Sequence, residues 1–409
     1  MRLYRVLATA SATLLLAAAP GLAADAPYQI VVSRDQQSLV VYDGDTVVAT
    51  SRVSTGKKGH TTPTGIFSIL EKRRHHRSNI YSNAPMPFMQ RLTWSGIALH
   101  ASNHVPNHPA SHGCIRMPNS FAETLYRMTD RGLHVIVSGR QVTPQEVVHP
   151  LLFQPHVAPP PLLSDAQLRP AMSSGAAGLV EVAMTEPAPG TSANPRADAP
   201  PIRILITRRD AADGIRDLQG ALAGLGYLPG PIDGHAGPQT IDAVKAFQTA
   251  DGQEADGRIS PELVAAVYAK AGKGLPPNGR LLVRRNFKPL FEADVTIDRP
   301  DMALGTLFLQ FQDVDTAGTR GKWFAVALEN TLSAATKARL GITTDSDPTA
   351  FNAVQRTLGR ITIAEDVRRK VEEALVEGSS LTVSDAGTTA ETGLGTDFIT
   401  VTQVAPRGR

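Results

Sequence analysis

Cys114 is the only cysteine in 409 residues, so no internal disulfide can staple this chain. The start of the chain sharpens that constraint. Arg2 and Arg5 open it, Val6 to Ala19 is apolar and rich in Leu and Ala, Pro20 and Gly21 break the run, and Ala23 and Ala24 offer a cleavage site. Residues 1–24 therefore read as a secretory signal peptide, with an apolar core short of the ~20 residues a spanning helix needs. An uncleaved N-terminal anchor is the alternative. Exported proteins ordinarily use cysteine in pairs. A lone exported thiol is an accident or a reactive group. Cys114 stands in Ser111-His112-Gly113-Cys114-Ile115-Arg116, downstream of His100, and that setting favours the reactive group.

At this length the chain has room for two or three domains. Residues 27–140 hold short β-branched runs parted by turn residues: Gln29 to Ser33, Ser38 to Tyr42, Thr46 to Val53, Ile66 to Leu70, Ile97 to His100 and Leu133 to Val137. They predict a strand-rich domain with hairpins and one helix from Ser120 to Met128, capped by Ser120 with Glu123 in a capping box. Residues 141–204 are dominated by Pro, Ala, Ser and Gly and predict a flexible linker. Residues 205–272 predict a three-helix unit. Its first helix places Ile215, Leu218, Leu222 and Leu225 at helical spacing, and Ser260 with Pro261 opens its third. Residues 281–409 mix strand-like and helical pieces. Gly378 to Ser384 echoes Gly132 to Ser138, and Ala303 to Phe308 echoes Pro63 to Phe67, which suggests a degenerate second copy of the first domain. No histidine follows His235, so that region cannot host Cys–His chemistry by itself. The expected fold class is multidomain α+β: a β-rich sandwich, a linker, a small helical bundle and a mixed C-terminal region.

The net charge of +3 carries no basic stripe interleaved with aromatics, so nucleic acid is not the expected partner. The cluster from Lys72 to Arg77 is expected as a solvated loop between strands. A thiol is mostly protonated at neutral pH and needs a base or a positive setting to attack. His100 ends a short apolar strand, where its ring would be held in a fixed orientation, and is the candidate base. Gly113 lets the backbone turn and expose the sulfur. Backbone N–H groups at Gly113 and Cys114 would face a developing oxyanion, each worth roughly 3 kcal/mol of barrier. These are the parts of acyl transfer through a thioester, and Arg116 would clamp a substrate carboxylate. Two other readings stand beside this one. His100, His104, His108 and His112 recur every fourth residue and would line one face of a zinc-binding helix, but Pro106 and Pro109 argue against a helix there. A buried, inert cysteine is the other.

These residues resemble a known family. Ser54-Thr55-Gly56, Thr62-Pro63-Thr64-Gly65-Ile66-Phe67, Ile97-Ala98-Leu99-His100 and Ser111 to Arg116 are similar, in order, to the motifs of the L,D-transpeptidase catalytic domain. The resemblance implies a β-rich sandwich with Cys114 as nucleophile and His100 as base. Ala101 would orient the imidazole through its carbonyl, and His112, Gly113 and Ser111 would shape and support the oxyanion hole. It implies peptidoglycan stem peptides as substrate; no cofactor and no metal are expected, and the export signal with no later long apolar segment predicts a protein of the periplasm or cell wall without stable membrane insertion after signal cleavage. Arg116 stands where many members carry asparagine, and the interval between His100 and Ser111 is short for the family, a shortness that leaves His112 as the alternative base. Residues 213–270 resemble a three-helix peptidoglycan-binding domain, through Leu225-Gly226-Tyr227, Asp233-Gly234, Gly237-Pro238-Gln239-Thr240 and Ala246-Phe247-Gln248. Tethering such a unit to the enzyme would raise local substrate concentration. An L,D-carboxypeptidase using water, or an inactive wall-binding protein, fits the same motifs.

Overall fold

The computed structural model describes residues 27–78, 83–156, 199–228, 230–274, 276–393 and 395–403. The expected signal peptide and most of the expected linker lie outside the described residues. Strands β1 (Gln29–Ser33), β2 (Ser38–Asp43) and β3 (Thr46–Arg52) form an antiparallel meander. After β4 (Thr64–Ser68) the chain builds a second, smaller sheet in the order β5 (Glu71–Arg73), β6 (Met89–Arg91), β7 (Ala98–Ala101) and β8 (Ile115–Met117). Helix α1 (Asn119–Met128) then leads to β9 (His134–Ser138), which slots between β4 and β1, antiparallel to one and parallel to the other. The inner faces of the two sheets and α1 bury Ile30, Val32, Phe67, Leu99, Ile115 and Leu125, among others, in one core.

The expectations for this half need two adjustments. No side chain caps α1; its cap position is Pro118, so the Ser120–Glu123 capping box does not form. The basic run from Lys72 is not a free loop. Lys72 lies over the Tyr126 ring and donates to the Tyr126 and Thr129 carbonyls, Arg73 pairs with Glu71, and Arg74 pairs with Glu123. These cations are spent fastening the β5–β6 arm to α1 and to its own base.

The second half is built on a second large sheet. Strands β10 (Gln145–Val147) and β11 (Ile202–Arg208) both belong to it. The three helices α2 (Ala211–Gly224), α3 (Pro238–Ala250) and α4 (Pro261–Lys270) are inserted between β11 and its hairpin partner β12 (Gly279–Arg285). The sheet continues with β13 (Lys288–Ile297), β14 (Thr306–Gln312) and β15 (Lys322–Leu328). Helices α5 (Ala334–Leu340) and α6 (Ala353–Leu358), the short β16 (Ile361–Thr362) and α7 (Glu365–Ala374) precede β17 (Ser380–Ser384). Strand β18 (Thr400–Gln403) leaves this half altogether and pairs with β4 in the first sheet.

The strand order β14-β17-β11-β12-β13 repeats β4-β9-β1-β2-β3, with the same parallel pair at its centre. Gln29 faces His134 in the first sheet as Arg203 faces Ser380 in the second. That register aligns Gly378 to Ser384 with Gly132 to Ser138, as the sequence echo does. It aligns Leu307 with Gly65 through their partners Val383 and Val137, two residues away from the echo's match of Gly305 with Gly65. A shift of two keeps every side chain on its own face, which is why the echo was still visible.

The expected domain boundaries change accordingly. A break at residue 204 would cut β11, all seven residues of which are buried. The linker does not begin at 141 either, because β10 pairs with β15 and Leu151, Leu152 and Phe153 are buried. Proline-rich composition averaged over the whole stretch hid those short apolar runs. The two large sheets meet face to face through Val31, Tyr42, Ile66 and Ile136 on one side and Phe308, Val326 and Leu328 on the other. Register-equivalent positions touch across this contact: Ser380 Oγ lies 3.4 Å from His134 Nε2.

The helical unit carries its own small core around Leu218, Leu222, Val244, Phe247 and Val267. Two matching braces fix it. Gln219 bonds the Asp233 carboxylate (3.0 Å) and accepts from the Gly234 amide (2.9 Å); Gln248 does the same with Asp256 (2.8 Å) and Gly257 (2.9 Å). Ser260 caps α4 and Pro261 takes its first position, as the sequence predicts.

Candidate active site

Cys114 immediately precedes β8, and β8 runs parallel to β7 with Arg116 opposite His100. Alternate residues of a strand share a face. The register therefore gathers Cys114, Arg116 and His100 on one face of the small sheet. Buried Met86, Met89 and Ala98 pack around the sulfur. The thiol donates to the Gly96 carbonyl at 3.3 Å.

His100 is buried, and its Nδ1 lies 2.8 Å from the Ala101 carbonyl oxygen. A carbonyl only accepts, so Nδ1 carries the proton and Nε2 keeps the free lone pair. Burial is the largest influence on its acidity and, with Arg116 and His76 adding like charge against the Ala101 bond, lowers the imidazole pKa to about 4. Burial pushes the Cys114 thiol up, opposed by the Ala98 backbone N–H and by the charges of Arg116 and Arg91. At neutral pH the pair rests as neutral thiol and neutral imidazole, not as an ion pair.

The loop before Cys114 is held from behind by the motifs that precede it in sequence. Ser54 bridges Arg116, Gly56 bridges Ser111, and the Ala110 and Ser111 amides both donate to the Thr55 carbonyl. Gln37 clasps Thr55 at both ends: its side-chain NH₂ donates to Thr55 Oγ1 and its carbonyl oxygen accepts the Thr55 amide. Thr62 Oγ1 accepts from the Gly56 amide and donates to the Gly113 carbonyl, at 2.9 and 2.7 Å. A Cβ on Gly56 would sit 1.9 Å from the His60 carbonyl oxygen, so no other residue fits there. Gly113 has φ of +115° and a Cβ there would press on Ile97. The separate motifs of the sequence are thus one brace.

One expected role changes. The Gly113 amide donates to Ser111 Oγ at 3.1 Å, and Ser111 Oγ in turn donates to the Cys114 carbonyl. That amide is committed to the turn. Among the described residues the Cys114 amide makes no bond of that kind to Ser111. His112 is exposed, with its ring edge-on to His60 at 4.7 Å between centroids. His104 and His108 lie in the exposed loop, and the His108 carbonyl accepts from Ser54 Oγ. Among the described residues no group of three or more His, Cys, Asp or Glu side chains is placed to hold a metal ion. Sequence reading missed Gly96, Arg91 and the Gln37 clasp. Gln37 has φ of +48°, a conformation no sequence signal announced.

Comparison with known proteins assigns the two segments. Residues 27–137 match the family model of the L,D-transpeptidase catalytic domain, and residues 211–267 that of a peptidoglycan-binding domain. Two segments of the chain are thus similar to an L,D-transpeptidase catalytic domain and to a peptidoglycan-binding domain. A curated, uncharacterised protein of Kitasatospora aureofaciens is 32% identical over 74 residues, covering 18% of this chain and 63% of that protein. Similar solved structures include an L,D-transpeptidase from Stackebrandtia nassauensis (29% identical, 28% of this chain and 56% of that one, TM-score 0.26). Another is from Mycobacterium smegmatis (23% identical, 27% of this chain and 58% of that one, TM-score 0.26). The chain thus spans less than two thirds of the length of each of these relatives.

Proposed function

We propose that the protein is an exported L,D-transpeptidase that remodels peptidoglycan through a Cys114 thioester, guided to the wall by its three-helix domain. The observation that carries this reading is the His100 tautomer. With Nδ1–H tied to Ala101, the bare Nε2 belongs to a neutral base on the strand beside the nucleophile.

The steps follow from that state. As the sulfur adds to the carbonyl carbon of the stem-peptide amide, the thiol proton passes to His100 Nε2. The oxyanion meets the Cys114 amide. The C–N bond breaks, and the imidazolium returns its proton to the departing amine of the D-residue. Arg116, half-buried on the same face, receives that residue's carboxylate. An acceptor amine then attacks the thioester, gives its proton to His100, and Cys114 leaves with the proton restored. Water in place of the amine makes the reaction a carboxypeptidase. An open cavity lined by His75, His76, Arg77, Pro85 and Pro87 lies on the β5–β6 arm, and the Pro87 carbonyl accepts the Ala101 amide next to His100.

Intact-mass analysis after incubation with a carbapenem, which acylates enzymes of this family, tests the reading. One covalent adduct on the wild type and none on Cys114→Ala is expected. An unmodified wild type, or an adduct that survives the substitution, overturns it. Mass spectrometry of products from tetrapeptide stems separates cross-link from hydrolysis.

A further inference from the structure

The turn that carries the Gly96 carbonyl is held by a residue almost 300 positions away. Glu391 Oε2 accepts the Trp94 amide at 2.7 Å and Oε1 accepts the Ser95 amide at 3.1 Å. The carboxylate thus spans two consecutive N–H groups. The turn itself is closed by the Gly96 amide on the Thr93 carbonyl and by the Ile97 amide on Thr93 Oγ1. Gly96 sits at φ of +112°, and its oxygen is the atom that receives the Cys114 thiol.

Glu391 lies on the segment between β17 and β18, which crosses from the second sheet to the first. That segment is anchored on both sides. Arg203, buried in the second sheet, pairs with Asp397, and Arg131 of the first half donates to the Gly395 carbonyl. Thr396 Oγ1 donates to the Glu391 carbonyl, fixing the backbone beneath the carboxylate.

We infer that Glu391 is a positioning residue for the nucleophile: the second half sets the Trp94–Gly96 turn and, through the Gly96 carbonyl, the orientation of the Cys114 thiol. This rests on the proposed role of Cys114. Two backbone donors on one carboxylate make a charge-assisted clasp that a neutral residue cannot reproduce. Glutamine keeps the shape and one acceptor but turns a donor toward the second amide. Alanine removes both acceptors. The turn then gains freedom at the point where the sulfur must meet a carbonyl carbon, and misplacement there costs rate more than binding.

The test uses the full chain with Glu391→Ala and Glu391→Gln. Expected at saturating donor stem is an acylation rate about tenfold lower in alanine and intermediate in glutamine, with KM within twofold and the melting temperature unchanged. Iodoacetamide alkylation of Cys114 across pH supplies a readout independent of transpeptidation. The alanine variant should shift that profile by threefold or more at neutral pH. Should the wild type fail to acylate, the proposed function falls, yet the alkylation profile still judges Glu391. Profiles and rates equal to wild type in both variants, or losses that only track unfolding, overturn the inference.

Discussion

The two large sheets of this protein share one strand order and one central parallel pair, yet only the first half adds a small sheet that carries Cys114 and His100. The difference lies in what each hangs between its fourth strand and the strand that re-enters the centre. The first half inserts the small sheet β5–β8, whose parallel β7–β8 register brings His100 beside Cys114. The second half inserts β15, helices and a two-residue strand. Even the brace has a counterpart: Gly56 bridges Ser111 in parallel in the first half, and Met302 bridges Thr344 in parallel in the second. Three residues on from those partners stand Cys114 and Asp347. The scaffold is therefore separable from the chemistry. Burial of the sheets is kept in both halves, and the reactive loop is kept in one.

The sharpest way to break that division is to remove the sulfur. If Cys114 is the nucleophile proposed above, Cys114→Ala should lower acyl transfer by at least ~10³-fold, since a nucleophile has no stand-in, while thermal stability stays close to wild type. Residual cross-linking near the wild-type rate would show that the division of labour is drawn in the wrong place. The converse substitution belongs to the second half. There Asp385, fully buried, accepts from Arg208 Nε at 2.7 Å and from the Leu304, Gly305 and Asn330 N–H groups, each at 2.9 Å. In the first half the aligned position is Gly139. Asp385→Ala takes the acceptor from the Arg208 charge, the Leu304 and Gly305 backbone amides and the Asn330 side-chain amide, and should cost ~3–5 kcal/mol in denaturant unfolding. A cost under ~1 kcal/mol would show that this anion is not what locks the second half.

How much of this could be read in the sequence depended on the length scale of each signal. The meander β1–β3, the central β9 and the Ser260 cap follow from local alternation or from a single well-placed residue. The bond between His100 and the Ala101 carbonyl is the one the resemblance implies. Strands β5, β6 and β8 have three residues each, too few for periodicity to register. The inserted helices were legible, but not that they interrupt a hairpin, since the partners β11 and β12 are parted by 70 residues of unrelated pattern. The return of β18 to the first sheet and the Glu391 clasp are contacts between distant segments, and composition carries no trace of either.

Acid should separate the halves by a smaller margin. His100 and His134 are buried in the first half as neutral rings, with burial the main cause in both; His134 is held well below its usual range, with Arg203 adding to the effect. At the position equivalent to His134 the second sheet has Ser380, which does not titrate. Both folded pKa values are depressed, so the unfolded chain binds the protons first. Stability is whole above about 6.5 and falls as pH drops toward about 4, by up to ~1.4 kcal/mol per pH unit for each histidine. His134→Gln should flatten the slope by about half over that window. An unchanged slope would place the acid sensitivity elsewhere. The acid limb of kcat/KM should likewise fall near pH 4, where His100 takes up its proton.

The smallest effect sharpens a different boundary, between the sheets and the helical insertion. Ser260 Oγ accepts the Leu263 amide at 3.2 Å, one of the few bonds that start α4. Ser260→Ala should cost ~1 kcal/mol of stability, the ordinary worth of such a cap. Where that loss appears is the informative part. The insertion is tied to the second sheet by Arg280 with Asp213 and by Arg209 with Asp217 and Asp294. These pairs lie at the surface or half-buried and contribute little apiece. Hydrogen exchange on Ser260→Ala should therefore speed in α2, α3 and α4 and leave β11 and β12 as protected as before. Faster exchange in β11 as well would mean that the inserted helices and the sheet unfold as one unit.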